Sequence, residues 1–403
     1  MSLFIKQRVL MRESEGTPHV YTVRFPDPMS TIGVREDQAR GLCVGISYDG
    51  NAIRNDFDRV PIFQRPIFNA TWDPFFKRWE DLVPQGAETF SWSPTEKNRE
   101  VVYRCRPFWY QLDMAGDYGP YRVSVADRPV KGFHLAPIFK NGTDFVYRPV
   151  FEMTVDGEGI PHSRAGESPL TEKATDLIEI VQRYDSAARL ESVRDWFSDT
   201  LLQLVEFARW DIGTLMTGNR GGITYTGDVA PLASASLCDL GNGYGCFWRG
   251  KENPWKNANS CLWDVLGKKI TSESGDQGVM LYYLTDPSKY TGALNEYYQP
   301  LGEYAPHRLR GQEPVGGWSF SEPGILWPST GRGDEATTKC FAYIMVSGTL
   351  SAEEYLINVA VGGSSLGSLL PVAQPSSPFH WEACQRNAGR DSSFGGRLVL
   401  EER

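Results

Sequence analysis

The stretch Gly245–Asp264 reads GCFWRGKENPWKNANSCLWD. It holds three Trp, two Cys, two Lys, an Arg, a Glu and an Asn-Pro turn. Three roles suit such a mixture: a catalytic loop, a ligand site, or a structural knot in a domain with little regular structure. The rest of the chain decides among them.

Composition narrows the field first. A chain of 403 residues suits one large domain plus a smaller one. Gly (40), Pro (26) and aromatics (12%) are abundant, which reads as short strands joined by turns and long ordered loops. The formal charge is 41 − 50 = −9, without a basic run, so nucleic acid is not an expected partner. No apolar run approaches the ~18 residues of a membrane helix, so membrane insertion is not expected either. MSLFIKQRVLMRESEG places charges where a signal peptide would be apolar, and the expectation is a chain made in the cytoplasm without one. The seven Cys are scattered with no C-x-x-C, and they read as buried small hydrophobes. The five His show no i, i+4 pair, so neither a metal site nor a cofactor is expected.

Periodicity sets out the elements. VYTVRF (Val20–Phe25) and GLCVGISYDG (Gly41–Gly50) read as strands, and REVVYRCRPFWYQL as a β-branched and aromatic run. Between them, RNDFDRVPIFQRPIFNATWDPFFKRW is dense in Pro and aromatics. Its Phe63, Phe68, Trp72, Phe75, Phe76 and Trp79 suit either an apolar interface or the intrachain core. A first helix is expected after Ser168 as N-cap, with Pro169 in its first turn and a stripe of Leu177, Ile180, Val181 and Tyr184. A second buries Trp196, Phe197, Leu201, Leu204, Val205 and Ala208 and stops near Gly213–Gly218. Glu206 lies inside that apolar helix and needs a partner, such as Arg209 or a loop N–H; it reads as a helix-to-loop clamp. Further strands are expected in Lys268–Leu284 and Lys339–Gly348, with two more near the chain end. The expected division is a β-rich anchoring and oligomerisation module over 1–95 and a main domain over 96–403.

Four landmarks occur in one order: LLQLVEFARWDIGTLMTGN, RGKENPWKNANSCLWDVL, VAVGGSSLGSL and FGGRLVL. This order resembles the formylglycine-generating-enzyme branch of the C-type-lectin-like fold. Asn253, Pro254, Trp255, Asn257, Trp263 and Asp264 match its middle motif. Gly362, Gly363 and Ser364 match the third landmark, and Gly396, Arg397, Leu398 and Val399 the fourth. The chain is more similar still to bacteriophage tail and fibre proteins with this fold, through WRGKENPWKNANSCLWDVL, GFHLAPIFKNG, REDQARGL and RNDFDRVPIF. The resemblance implies an α+β protein with a small twisted antiparallel sheet, two helices and extensive ordered loops. It also implies that Arg249, Glu252, Asn253, Trp255 and Trp263 form a structural motif fixing loop geometry from inside, with direct ligand contact as the alternative.

The function implied is a non-enzymatic virion protein, in the tail or a fibre, that meets a host bacterial surface receptor, protein or glycan. Its partners would be other virion proteins and two further copies in a homotrimer. The C-terminal segment carries Ser376, Ser377, Phe379, His380, Trp381, Gln385, Arg386, Asn387, Arg390 and Ser392. Aromatic, small polar and Arg residues are the mix that binding loops favour. One alternative is a purely structural virion component whose C-terminal loop packs between subunits. A formylglycine-generating-like oxidase would need two reactive thiols, with Cys340 and Cys384 the late candidates. A polysaccharide depolymerase would need paired carboxylates from a set such as Glu152, Asp156, Glu158, Glu303 and Glu313.

Overall fold

The computed structural model describes residues 16–26, 30–114, 119–140, 142–172, 174–216, 224–241, 244–255, 257, 259–271, 277–286, 289–291, 293–304, 311–321, 325–331, 343–347, 356–361, 381–385 and 394–402. They form a β-rich α+β fold of six sheets. The helices described are α1 (Ala174–Tyr184), α2 (Val193–Phe207) and the short α3 (Ile212–Leu215).

The β system is larger than a single small sheet. One sheet has nine strands and runs outward from Asn259–Thr271, which pairs with Gln277–Leu284 on one side and Leu356–Val361 on the other. It is mixed: Tyr343–Ser347 runs parallel to Trp381–Gln385, and Asn259–Ser260 parallel to Phe394–Gly395. The expected boundary at residue 95 is not a break in strand pairing. Val20–Arg24 lies between Val34–Asp37 and Pro120–Ala126 in a five-stranded sheet. Ile67–Asp73 pairs with Arg99–Cys105 in a four-stranded one. Main-chain ladders therefore cross residue 95 twice, and the N-terminal segment shares its sheets with strands on the far side of that position.

Local chemistry explains where the elements depart from expectation. Gly41–Gly50 is not a strand; only Ser47 makes a bridge, to Cys238. Asp49 instead accepts from the Ser47 hydroxyl and the Asn51 N–H, an Asx turn that competes with a ladder. The first helix begins at Ala174 and not after Ser168, because the Leu170 N–H goes to the Met153 carbonyl, 2.8 Å away. REVVYRCRPFWYQL is two strands, Arg99–Cys105 and Trp109–Met114, parted at Pro107. α2 is closed at its N-terminus by a capping box between Ser192 and Asp195, and ends at Ala208 with φ +52°. The chain then turns to the N-terminal segment: the Gly33 N–H donates to the Ala208 carbonyl and the Trp210 N–H to that of Thr31. That pairing ends the helix earlier than Gly213–Gly218.

The core gathers around α2. The helix is buried along its length except at Arg194 and packs on Pro120–Ala126, Val20–Arg24 and Ile325–Gly331. The expected face of Trp196, Phe197, Leu201, Leu204, Val205 and Ala208 is buried. Trp318 lies between Trp196 and Trp210, with ring centroids 6.3 and 6.0 Å away. Phe63, Phe68 and Trp72 also belong to the core, and Trp79 is half-buried, so four of the six N-terminal aromatics do not form a free apolar face. Phe75 and Phe76 stay exposed at the turn between Ile67–Asp73 and Arg78–Pro84. Cys105, Cys238, Cys246 and Cys261 are buried thiols, whereas Cys43 is exposed.

Candidate functional site

A helix buried on every side ordinarily carries apolar residues all round. α2 does not. Asp195, Asp199 and Glu206 are spaced at i, i+4 and i+11, which puts their carboxylates along one ridge. All three are buried. A buried charge persists only when paired and hydrogen-bonded, and each of these draws its cations from outside the helix.

At the first position, Arg148 Nε and Arg189 Nη1 each donate to Asp195 at 2.6 Å. Burial alone would raise the Asp195 carboxyl; the two guanidinium groups more than offset it and hold it well below the usual carboxylate range. At the second, Asp199 takes Arg65 Nη2 at 2.6 Å and Lys251 Nζ at 3.2 Å. Lys251 also bonds Glu191, and the Arg65 guanidinium lies over the Trp248 ring, 4.3 Å from its centroid. At the third, Glu206 is fully buried and accepts from Arg249 Nε at 2.8 Å and Nη2 at 2.5 Å. It also accepts from Trp248 Nε1 at 3.0 Å and Asn55 Nδ2 at 3.2 Å. Glu206 is thus a helix-to-loop clamp, but its partner is Arg249 and not Arg209, which pairs with Asp211.

The WRGKENPW loop is shaped to reach this ridge. Gly245 has φ +112°, and a Cβ there would lie 2.0 Å from Asn253 Oδ1; Gly250 has φ +88°, and its Cβ would meet Tyr103 Cβ at 2.7 Å. Only glycine satisfies both conditions. The Glu252 carboxylate accepts the N–H groups of Gly227, Val229 and Ala230 at 2.6, 3.0 and 2.6 Å. Burial pushes this carboxyl up to about 7. Asn253 Oδ1 accepts the Cys246 N–H at 3.0 Å, and Trp255 Nε1 donates to the Met216 carbonyl at 3.1 Å. Arg397 closes the assembly from the chain's far end. Its Nη1 donates to the Val150 carbonyl at 2.9 Å, and its Nη2 to the carbonyls of Glu252 and Asn253. Arg249, Glu252, Asn253 and Trp255 therefore bond internally. Trp263 is buried but stands apart, with its ring 5.6 Å from that of Tyr290.

These carboxylates are buried and engaged by cations or N–H groups, and what this network provides is fixed loop geometry. Sequence reasoning found Glu206 and missed Asp195 and Asp199. The signal was the i, i+4, i+11 spacing of acids inside an apolar run. Of the residues expected to meet a receptor, Ser376, Ser377, Phe379, His380, Arg386, Asn387, Arg390 and Ser392 lie outside the described residues, as does Cys340. Trp381 and Gln385 begin and end the strand that also holds Cys384. Among the candidate depolymerase carboxylates, Glu152 is buried against Asn257, Asp156 bonds His162, and Glu158 and Glu303 are exposed. Among the described residues no helix is long and apolar enough to cross a membrane.

His162 is a second buried polar centre. Its Nδ1 lies 2.8 Å from Glu100 Oε1 and its Nε2 3.3 Å from Asp156 Oδ2. Burial alone would lower its pKa; the bonds to Glu100 and Asp156 raise it above the ordinary value. A base raised in the folded state adds stability that is complete below its unfolded pKa, about 6.5. That stability is lost as pH rises through the folded value. Urea unfolding between pH 5.5 and 9 is expected to show this decline in the wild type and a shallower one in His162→Gln. Identical slopes would remove His162 as its source.

No protein-family model matches the chain, and no curated protein sequence matches it. The family resemblance rests on the landmarks themselves.

Proposed function

We propose that this chain is a non-enzymatic bacteriophage virion protein, in the tail or a fibre, with a C-type-lectin-like fold of the formylglycine-generating type. In this reading it presents its C-terminal segments to a receptor on the host surface. The observation that carries the proposal is the meeting of landmarks distant in sequence. Glu206 of the helix landmark grips Arg249 of the RGKENPW landmark, and Arg397 of the FGGRLVL landmark holds the Glu252 and Asn253 carbonyls of that same loop. A frame fixed this firmly suits an adhesin, which needs variable segments carried on a rigid scaffold. The strands flanking 362–380 are both anchored: Leu356–Val361 pairs antiparallel with Trp381–Gln385. A homotrimer would multiply weak contacts, raising avidity by roughly 10²–10⁴-fold.

The test is depletion of purified protein by intact cells of the host bacterium. It is run beside a variant carrying Phe379→Ala, His380→Ala, Trp381→Ala and Arg386→Ala. Adhesion through the C-terminal segments requires that the wild type be depleted and the variant remain in solution. Equal depletion of both would move the receptor site elsewhere. A folded oligomer that cells do not deplete would favour the purely structural virion role, with these side chains packed between subunits.

A further inference from the structure

The segment Arg104-Cys105-Arg106 ends the strand Arg99–Cys105 and enters the corner at Pro107. Side chains alternate along extended backbone. Cys105 turns inward, where it is buried, and the two arginines share the opposite face. The neighbouring strand Val146–Pro149 runs antiparallel, with Arg104 opposite Tyr147 and Cys105 opposite Val146. That register carries Phe145 alongside Arg106. The Arg106 guanidinium lies over the Phe145 ring, 5.4 Å from its centroid, and the Arg104 guanidinium over the same ring at 4.3 Å. Arg104 also covers Phe68, at 5.0 Å.

Two like charges gathered on one ring repel each other. Neither guanidinium forms an ion pair among the described residues, although Asp144 is exposed next to Phe145 in the chain. Several other surface arginines are matched: Arg24 with Glu36, Arg54 with Asp56, Arg78 with Glu80 and Arg209 with Asp211. Arg104 and Arg106 differ in being both unmatched and adjacent. They are also reachable. Arg104 is half-buried and Arg106 exposed, and no nitrogen of either is at once buried and unbonded. One side of Arg104 meets the Tyr147 hydroxyl; the donors not met within the protein face solvent.

The group that suits such a pair is an oxyanion with more acceptors than one guanidinium fork consumes. A carboxylate has two oxygens and is satisfied by a single arginine. A phosphate group brings three strong acceptors and up to two charges, and two arginines can share it. Phe68 and Phe145 hold Arg104 in place before any ligand arrives, which lowers the ordering cost of binding. An extended anionic surface would meet Asp144 as well, and Glu402 beside Tyr147. A single phosphate therefore fits better than a sheet of charged lipid. We propose that Arg104 and Arg106, gathered on Phe145, bind the phosphate group of a small soluble organic molecule. The site is separate from the C-terminal segments of the adhesion proposal and stands or falls without them.

The experiment is calorimetric titration of the full chain with inorganic phosphate, glycerol 3-phosphate and acetate, at about 50 and about 300 mM NaCl. Saturable binding of both phosphates is expected, weaker at the higher salt, with acetate weaker than either. Arg106→Gln alters an exposed side chain and should leave the fold intact while weakening phosphate binding about tenfold, the loss of roughly one charge-assisted hydrogen bond. Arg104→Lys keeps the charge but loses the fork, and should weaken binding too. Arg59→Gln removes an exposed charge outside the cluster and should bind as the wild type does. Far-UV circular dichroism checks that each variant is folded. The proposal is overturned if neither phosphate binds saturably, if acetate binds as tightly as phosphate, or if Arg106→Gln and Arg59→Gln weaken binding alike. It is also overturned if the protein sediments with phosphatidylglycerol vesicles, and not with phosphatidylcholine ones, while glycerol 3-phosphate fails to bind; the ligand would then be a lipid surface.

Discussion

Glu206→Ala is expected to lower the unfolding free energy by about 3–5 kcal/mol, the range found when one partner of a buried ion pair is removed. Against a typical total of about 5–15 kcal/mol, that is a large share of the stability. The reason is specific to this site. The substitution leaves the buried Arg249 guanidinium with Asp58 at 3.2 Å as its nearest remaining carboxylate, and strips acceptors from Trp248 Nε1 and Asn55 Nδ2. The cost belongs to the orphaned charge more than to the lost contact. The double variant Glu206→Leu with Arg249→Met, which removes both charges, should therefore recover much of the loss. Urea unfolding of the two variants measures this. A Glu206→Ala loss under about 1 kcal/mol would be the value of an exposed pair, and would mean that Glu206 does not clamp the loop.

Arg397→Lys is the second large effect, and it keeps the charge. The Arg397 fork spans carbonyls of two segments, Val150 on one side and Glu252 with Asn253 on the other. A single ammonium cannot reproduce that planar geometry. At about 1–3 kcal/mol for each buried acceptor left unpaired, losing two of them predicts a deficit of about 2–6 kcal/mol. Hydrogen exchange gives the local readout. Amides of the WRGKENPW loop, including the Glu252 N–H bound to the Val150 carbonyl at 3.0 Å, should lose protection first. A deficit near zero would mean that positive charge near Glu191, whose Oε2 lies 3.8 Å from Arg397 Nε, and not the fork, is what the site requires.

Much of the fold is legible in the residues alone. The apolar face of α2 is readable because its period is sustained, and Val20–Arg24 because its residues are β-branched and aromatic. Gly41–Gly50 misleads for a local reason: its Val and Ile residues suit a strand, but the Asp49 side chain offers the backbone a competing turn. The end of α2 misleads for a distant one, since Ala208 and Trp210 bond residues 31 and 33, about 175 positions earlier in the chain. The internal bonding of Arg249, Glu252 and Asn253 is anticipated in kind but not in partner. Composition shows that a buried Glu206 must be neutralised. It does not show which of many arginines arrives, because that depends on how distant loops fold back.

The ridge of acids on α2 also has a temporal side. Its carboxylates become tolerable in the interior only after cations arrive from positions as far apart as Arg65, Arg148 and Arg249, and the loop carrying Arg249 is itself held by Arg397. During translation the helix segment is made before Arg249, and longer still before Arg397. Until then Glu206 cannot be desolvated without leaving its charge unmatched, although Arg65, Arg148 and Arg189 are already at hand for Asp199 and Asp195. Closing loops of this span is slow, and maturation of the chain should be a late, all-or-none event rather than a progressive one.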